Sequence, residues 1–150
     1  MKQVSVVIPV YNSAESLPLL MERLSLLRER SQCIEEVIFV NDGSRDQSWS
    51  VILELSRQYH WLRGFNLMRN FGQHNALLSG IRAATGEIVV TMDDDLQNPP
   101  EEIPLLLAKL AEGYDVVYGA PEKEQHGLLR DLASRITKIA LQAAMGVETA

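Results

Sequence analysis

Short runs rich in Val and Ile alternate along the chain with longer segments in which apolar residues recur every three or four positions. The short runs are typical of buried strands, and the longer segments are typical of amphipathic helices. Their alternation predicts βαβ units and an α/β fold, with a mainly parallel sheet sandwiched between helices. The five predicted strands cover residues 4–10, 36–40, 64–68, 87–92 and 115–118.

The helical segments carry their own end signals. The helices predicted between and after the first four strands cover residues 13–30, 47–60, 73–84 and 99–113. Asn12 and Glu15 form a capping-box pattern before the first helix, and Asp46 is placed to cap the second. Gly86 is expected to supply a left-handed end to the third helix. Two prolines begin the fourth, where missing amide hydrogens cost little.

A fifth helix is predicted over residues 127–145, with apolar residues on one face and Arg130, Arg135 and Lys138 elsewhere. Two interpretations stay open for it: a core helix with a solvated basic side, or a surface that meets an anionic lipid or phosphate. Neither repeats nor linker-like stretches interrupt the chain. We therefore expect one domain over residues 1–150.

Length, charge and cysteine content exclude several classes of protein. The chain has 150 residues, with 14 Lys and Arg against 20 Asp and Glu, and its net charge of −6 argues against a nucleic-acid partner. No apolar run reaches the ~20 residues that cross a bilayer. The single cysteine, Cys33, excludes an internal disulfide framework. The amino terminus lacks a signal-peptide pattern, so we expect a cytoplasmic location.

The residues that follow the predicted strands are the main candidates for function, because ligands of open parallel sheets bind beyond the carboxyl ends of the strands. The first strand is not followed by a glycine-rich phosphate loop. The fourth is followed by Asp93, Asp94 and Asp95, which repel one another by about 1 kcal/mol per close pair even in water. Asp93 and Asp95 alternate on an extended segment and should share a face, with Asp94 pointing elsewhere. Mg²⁺ or Mn²⁺ would relieve the repulsion and bridge the protein to a diphosphate.

Simpler roles stay open for each candidate. The three aspartates would serve equally as solvated turn residues, and Asp95 as a helix cap. Asp42, after the second strand, is either a turn residue beside Gly43 or an acceptor for hydrogen bonds from a base or ribose. Arg69, after the third strand, is either part of a polar loop or a donor to a phosphate.

Four stretches, in this order, resemble the family-2 glycosyltransferases, which have the GT-A fold. They are VSVVIPVYN at residues 4–12, VNDGS at 40–44, RNFGQH at 69–74 and DDDLQNPPE at 93–101. The last two most resemble the polyprenyl-phosphate branch, which includes dolichol-phosphate mannosyltransferases and bacterial undecaprenyl-phosphate sugar transferases.

The resemblance implies inverting transfer of a sugar from a nucleoside-diphosphate sugar, for which we favour UDP, to a polyprenyl phosphate. The reaction would belong to cell-envelope glycan synthesis and would place the protein at the inner face of the membrane; a homo-oligomer stays open. The residues assigned to donor binding are Pro9, Tyr11, Glu15, Asp42, Arg69 and Asp93. The residues assigned to Mg²⁺ or Mn²⁺ are Asp93 and Asp95, as a DxD motif, and Gln97; those assigned to catalysis are Asp94 and Asp95.

Two features depart from the family pattern. The branch usually carries arginines where residues 120–125, APEKEQ, stand, and relatives continue beyond Ala150 through an acceptor loop and often membrane helices. We therefore expect an amino-terminal fragment that binds the donor better than it turns over. The alternative functions are a non-catalytic nucleotide-sugar-binding fragment and a sugar-nucleotide pyrophosphorylase, although the latter places a glycine-rich loop after the first strand.

Overall fold

A computed structural model describes residues 3–119 and contains a sheet of four parallel strands. The strands are β1 (Val4–Val10), β2 (Ile34–Asn41), β3 (Leu62–Asn66) and β4 (Ile88–Thr91). Their order across the sheet is β3-β2-β1-β4, so β1 lies inside the sheet and β3 and β4 form its edges. The parallel α/β sheet predicted from the sequence is confirmed.

Four helices follow the strands along the chain. They are α1 (Leu17–Ser31), α2 (Ser48–Gln58), α3 (Gln73–Ala83) and α4 (Ile103–Leu110), and a short 3₁₀ helix, Pro100–Glu102, leads into α4. Within residues 3–119, none of these helices has both the length and the apolar character of a membrane span. The helix predicted over residues 127–145 lies outside the described residues.

Helices cover both faces of the sheet, as the sequence predicts. Strand β1 is buried along its whole length. On one face Val6 and Ile8 belong to a core cluster with apolar residues of α1, α2 and α4. On the other face Val7 belongs to a second cluster with Ala76 of α3. Helix α3 lies so close that a Cβ on Gly80 would come within 2.4 Å of Val7 Cγ1.

Residues 115–118, predicted as a fifth strand, form none. Val116 and Tyr118 are 62% and 87% exposed, and the described sheet contains no strand beside β4 other than β1. A strand requires a neighbour that satisfies its backbone amide and carbonyl groups. The apolar pattern of this segment therefore predicted the wrong structure.

Helix α1 begins at Leu17, later than predicted, because Asn12 does not cap it. Asn12 has a positive φ of 55°, and its Oδ1 accepts a hydrogen bond from the Arg45 amide at 2.8 Å. The side chain that was expected to cap the helix thus binds the loop after β2. The N-cap of α2 is Gln47, one position after the expected Asp46, but Asp46 Oδ1 still accepts from the amide of Ser48, the first residue of the helix, at 2.9 Å.

Gly86 does not provide the left-handed end expected for α3. The helix ends at Ala83, and the next residue is extended, with φ −66° and ψ 140°. Gly86 instead lies against the start of β1, where a Cβ would come within 2.7 Å of the Ser5 nitrogen. Close approach of two backbone segments, and not helix termination, explains the glycine.

A buried carboxylate connects the amino-terminal ends of the strands. Glu36 of β2 is only 6% exposed and accepts hydrogen bonds at 2.7 Å from Ser5 of β1, from Arg63 of β3, and from the amide and hydroxyl of Thr85 before β4. Burial alone would raise the pKa of Glu36, but these donors outweigh it and lower the pKa to about 2. This network fixes the end of the sheet opposite the carboxyl ends of the strands.

Replacing Glu36→Gln should reduce the free energy of unfolding by about 2 kcal/mol at neutral pH, because charged hydrogen bonds are lost. The carboxylate stabilises the fold fully above its unfolded pKa of 4.5, and this contribution is lost as the pH falls through the folded pKa of about 2. The variant should lack that part of the pH dependence. Urea denaturation over this pH range tests it, with the exposed neighbour Glu35→Gln as the matched control. Identical pH profiles for wild type and Glu36→Gln would contradict the assignment.

Candidate functional site

One cleft of about 370 Å³ lies at the carboxyl ends of the strands. Its walls come from the end of β1 and from the segments that follow each of the four strands: Pro9, Val10, Tyr11, Asp42, Asn70, Gly72, Gln73, Asp93, Asp94 and Asp95. These residues are far apart in sequence, but the carboxyl ends of parallel strands share one edge of the sheet. The edge that the sequence indicated is therefore the edge that carries the cleft.

Most of the residues predicted to bind donor or metal or to act in catalysis line this cleft. Those that do are Pro9, Tyr11, Asp42, Asp93, Asp94 and Asp95. Glu15, Arg69 and Gln97 are exposed and do not line it. The Arg69 guanidinium lies 4.8 Å from the centroid of the Phe71 ring. Arg69 thus makes a cation–π contact with an exposed neighbour on the protein surface.

Asp42 holds two loops together. It is 3% exposed; its Oδ1 accepts from the Phe71 amide at 2.7 Å and its Oδ2 accepts from the Gly72 amide at 2.9 Å. The next residue, Gly43, has φ +67° and packs on the same loop, where a Cβ would lie 2.4 Å from the Asn70 nitrogen. Each carboxylate oxygen can accept a second hydrogen bond. Asp42 is thus a structural clamp that still has acceptor capacity at the cleft.

The three consecutive aspartates do not alternate as the sequence led us to expect. Strand β4 ends at Thr91, and the chain then bends, so Asp93, Asp94 and Asp95 all line the cleft. Alternation with a period of two holds only where the chain is extended. The regular alternation expected of an extended strand is therefore absent here, and Asp94 lines the same cleft as the other two.

Asp94 connects the acidic segment to the loop after β1. Its Oδ2 accepts a hydrogen bond from the Tyr11 amide at 3.3 Å. Burial raises the pKa of Asp94, and the negative charge of Asp95 adds to this effect. The protein environment therefore disfavours the charged form of Asp94 at the cleft.

Asp93 and Asp95 are each held by one hydrogen bond. Asp93 Oδ1 accepts from Gln73 Nε2 at 2.7 Å, and Asp95 Oδ1 accepts from the Gln97 amide at 3.0 Å. Among the described residues, no Lys or Arg forms an ion pair with any of the three aspartates. Their mutual repulsion is therefore not offset by a basic side chain in this part of the chain.

The donor atoms at the cleft fit a hard divalent ion shared with a ligand. Within residues 3–119, no three His, Cys, Asp or Glu side chains are grouped closely enough to hold a metal by themselves. Mg²⁺ is commonly bound through one or two carboxylates together with substrate phosphates. Asp93 and Asp95 match that arrangement, and the site has no soft sulfur or imidazole ligand that would favour another metal.

Hydrogen bonds and an ion pair between residues outside the cleft fix the loops around it. The Ser13 amide donates to Ser48 Oγ at 2.8 Å, and the Ala14 amide donates to Asp46 Oδ2 at 3.1 Å, so the loops after β1 and β2 are joined. Arg23 of α1 forms a bidentate ion pair with Glu101, just beyond the acidic segment. The cleft is thus built on anchored loops.

Like Asn70, Gln73 is a polar residue of the cleft to which the sequence gave no role. It is the first residue of α3, and its partner Asp93 is 20 positions away in the chain. The available signal was its place directly after the loop that follows β3, at the same sheet edge as the aspartates. Without the fold, that place does not identify the partner.

Comparisons with known proteins give a consistent picture. Residues 5–142 match the family described as glycosyl transferase family 2. Curated relatives include the undecaprenyl-phosphate 4-deoxy-4-formamido-L-arabinose transferases of Photorhabdus laumondii and Yersinia enterocolitica, each 42% identical over 146 residues. These alignments cover 97% of this chain and 45% of each relative, so the chain spans less than half the length of these relatives.

Solved structures share the fold. The mannosyltransferase PcManGT from Pyrobaculum calidifontis, in complex with GDP-Man and Mn²⁺, is 29% identical, with a TM-score of 0.57 over 74% of this chain and 32% of that chain. S. aureus TarS is 25% identical, with a TM-score of 0.62 over 80% of this chain and 38% of that one. Mannosyl-3-phosphoglycerate synthase from Rubrobacter xylanophilus has a TM-score of 0.67 over 91% of this chain and 47% of that one; at 20% identity it supports the fold alone.

The clamp at Asp42 predicts a stability effect that needs no ligand. In Asp42→Asn the side chain keeps a single acceptor oxygen, so either the Phe71 amide loses its partner or the Gly72 amide keeps only Asn70 Oδ1, at 3.1 Å. The free energy of unfolding should fall by ~1–3 kcal/mol. Urea denaturation without metal or nucleotide measures this, and the exposed Asp115→Asn serves as the control. Equal stability of the Asp42→Asn and Asp115→Asn variants would rule out the clamp.

Proposed function

The chain belongs to glycosyl transferase family 2, and from that membership we propose that its cleft binds a nucleoside-diphosphate sugar together with Mg²⁺ or Mn²⁺. The sugar is then transferred, with inversion, to a polyprenyl phosphate at the membrane surface. The observation that carries the proposal is the meeting of Tyr11, Asp42 and three aspartates, residues 93–95, in one cleft, where no Lys or Arg of residues 3–119 pairs with the aspartates.

The nucleoside end of the donor is assigned to the walls formed after β1 and β2. The Tyr11 side chain is 45% exposed and offers an aromatic face at the cleft, next to Pro9. Asp42 keeps lone pairs that can accept hydrogen bonds from a base or a ribose. Glu15 and Arg69 remain in the proposal as residues at the outer rim. We favour UDP, and GDP is the competing choice because PcManGT was solved with GDP-Man.

The diphosphate end is assigned to the acidic segment. Asp93 and Asp95 would hold the divalent ion, with Gln97 as a further contact on the exposed side of the same turn. When bound, such an ion stabilises the negative charge that develops on the leaving diphosphate. Asp94 and Asp95 stay the candidate catalytic residues, and Asp94 also fixes the backbone of Tyr11 at the donor wall.

The acceptor is proposed from the relatives, which are undecaprenyl-phosphate sugar transferases. In the proposed reaction, an oxygen of the acceptor phosphate forms a bond to the anomeric carbon while the bond from that carbon to the diphosphate breaks. Because that oxygen is already anionic, the step needs a positioning cation more than a strong general base. The basic residues suggested for this role, Arg130, Arg135 and Lys138, lie outside the described residues.

Donor binding without transfer is the second candidate. It is favoured by the cleft itself, where proposed donor and metal residues already meet. A pyrophosphorylase is no longer a competing function, because residues 5–142 match a glycosyltransferase family.

Titration calorimetry with UDP, GDP and dTDP tests the donor and the metal together. We expect heat with UDP only when Mn²⁺ is present. Asp95→Asn should weaken that binding at least tenfold, or by ~1.4 kcal/mol, because an ionic metal ligand is lost. Asp94→Asn should weaken it much less, because an asparagine oxygen can still accept from the Tyr11 amide.

The exposed Glu102→Gln is the matched control and should bind as wild type does. Equal losses for Asp94→Asn and Asp95→Asn would contradict the division of roles, and no metal-dependent heat with any nucleotide would defeat the proposal. Incubation with a UDP-sugar, Mn²⁺ and undecaprenyl phosphate then separates the two candidates. A glycosylated lipid supports transfer, and binding heat without that product supports the donor-binding alternative.

A further inference from the structure

We infer that Gln73 is a positioning residue for the divalent ion, because its side-chain amide fixes the orientation of the Asp93 carboxylate. The inference rests on the proposed function, since it concerns the same cleft and the same ion. It adds a residue from a different element, the first turn of α3, to a site assigned so far to the segment after β4.

The contact is a hydrogen bond from Gln73 Nε2 to Asp93 Oδ1, at 2.7 Å. No other described residue donates to Asp93, so its Oδ2 is left for the ion. A carboxylate held through one oxygen loses less rotational freedom on binding a metal than a free one does. Groups that hold metal ligands in this way typically change metal affinity 10–100-fold when they are removed.

The chemistry of glutamine suits this task. A neutral amide donates a hydrogen bond without adding positive charge, so the carboxylate keeps its full attraction for a cation. A lysine or arginine at this position would orient Asp93 equally well but would compete with the metal for it. Because Gln73 is exposed, water would satisfy Asp93 Oδ1 in its absence, and the hydrogen bond contributes little to folding.

The backbone around Gln73 is itself held in place. The preceding residue, Gly72, has φ +90°, a conformation that other residues rarely adopt, and its amide donates to Asp42 Oδ2 at 2.9 Å. The start of α3 is therefore fixed to the end of β2. A continuous set of contacts runs from Asp42 through Gly72 and Gln73 to Asp93, and connects the nucleoside wall of the cleft to its metal wall.

The test is a titration of Mn²⁺ into the 150-residue chain, followed by electron paramagnetic resonance of the free ion. It is run in saturating UDP or GDP, whichever the calorimetry selects. Gln73→Met keeps the length of the side chain and its helix propensity but removes the donor. We expect about a tenfold increase in the Mn²⁺ dissociation constant. The matched control is Gln58→Met, at an exposed position of α2, and should show no change.

A double variant distinguishes positioning from a general structural effect. If Gln73 acts through Asp93, then Gln73→Met should cause little further loss of Mn²⁺ affinity in an Asp93→Asn background. The thermal midpoint without metal should be the same for Gln73→Met and Gln58→Met. Should Gln73→Met fail to fold, Gln73→Ala replaces it in the same cycle.

The remaining outcomes separate this inference from the proposed function. A loss of affinity in Asp93→Asn with none in Gln73→Met would overturn the role of Gln73 and leave the metal site standing. Losses that multiply in the double variant would also overturn it, because Gln73 would then act independently of Asp93. No loss in either single variant would count against the metal site itself.

Discussion

Three carboxylates share the wall of one cleft, and no Lys or Arg among the described residues pairs with them. Each close pair costs about 1 kcal/mol in water and more where burial lowers the dielectric, as at Asp94. The three aspartates that repel one another lie at the sheet edge where α/β proteins bind their ligands. In the proposed function, a divalent ion brought with a diphosphate offsets the repulsion, and the proposals for the metal, the class of donor and the part of Gln73 all follow from this one electrostatic constraint.

Two buried carboxylates of the protein, Glu36 and Asp42, are hydrogen-bonded on both oxygens. Glu36 accepts four hydrogen bonds at one end of the sheet, and its pKa is lowered to about 2. Asp42 accepts two backbone amides at the other end. In both, each carboxylate oxygen accepts at least one hydrogen bond from the chain itself. Asp93 and Asp95 have one donor each among the described residues, which leaves an oxygen of each for the cation that we propose.

The sequence predicted the parallel sheet and the sheet edge that carries the cleft, because apolar runs and strand-end positions are local properties. It failed where a distant partner decides the outcome. Asn12 binds the Arg45 amide instead of capping α1, and Gly86 packs against β1 instead of ending α3. Alternation failed for Asp94 because β4 ends at Thr91. The sequence likewise could not identify Asp93 as the partner of Gln73, because 20 positions separate the two residues.

The central claim is that Asp93 and Asp95 bind a divalent ion together with the donor diphosphate. Anomalous diffraction at the manganese absorption edge, from crystals grown with Mn²⁺ and the nucleoside diphosphate that binds, tests it most directly. We expect one strong anomalous peak in the cleft, within bonding distance of a carboxylate oxygen of each residue and of the diphosphate. A bound nucleotide with no manganese beside these aspartates, or with the ion held elsewhere, would contradict the account.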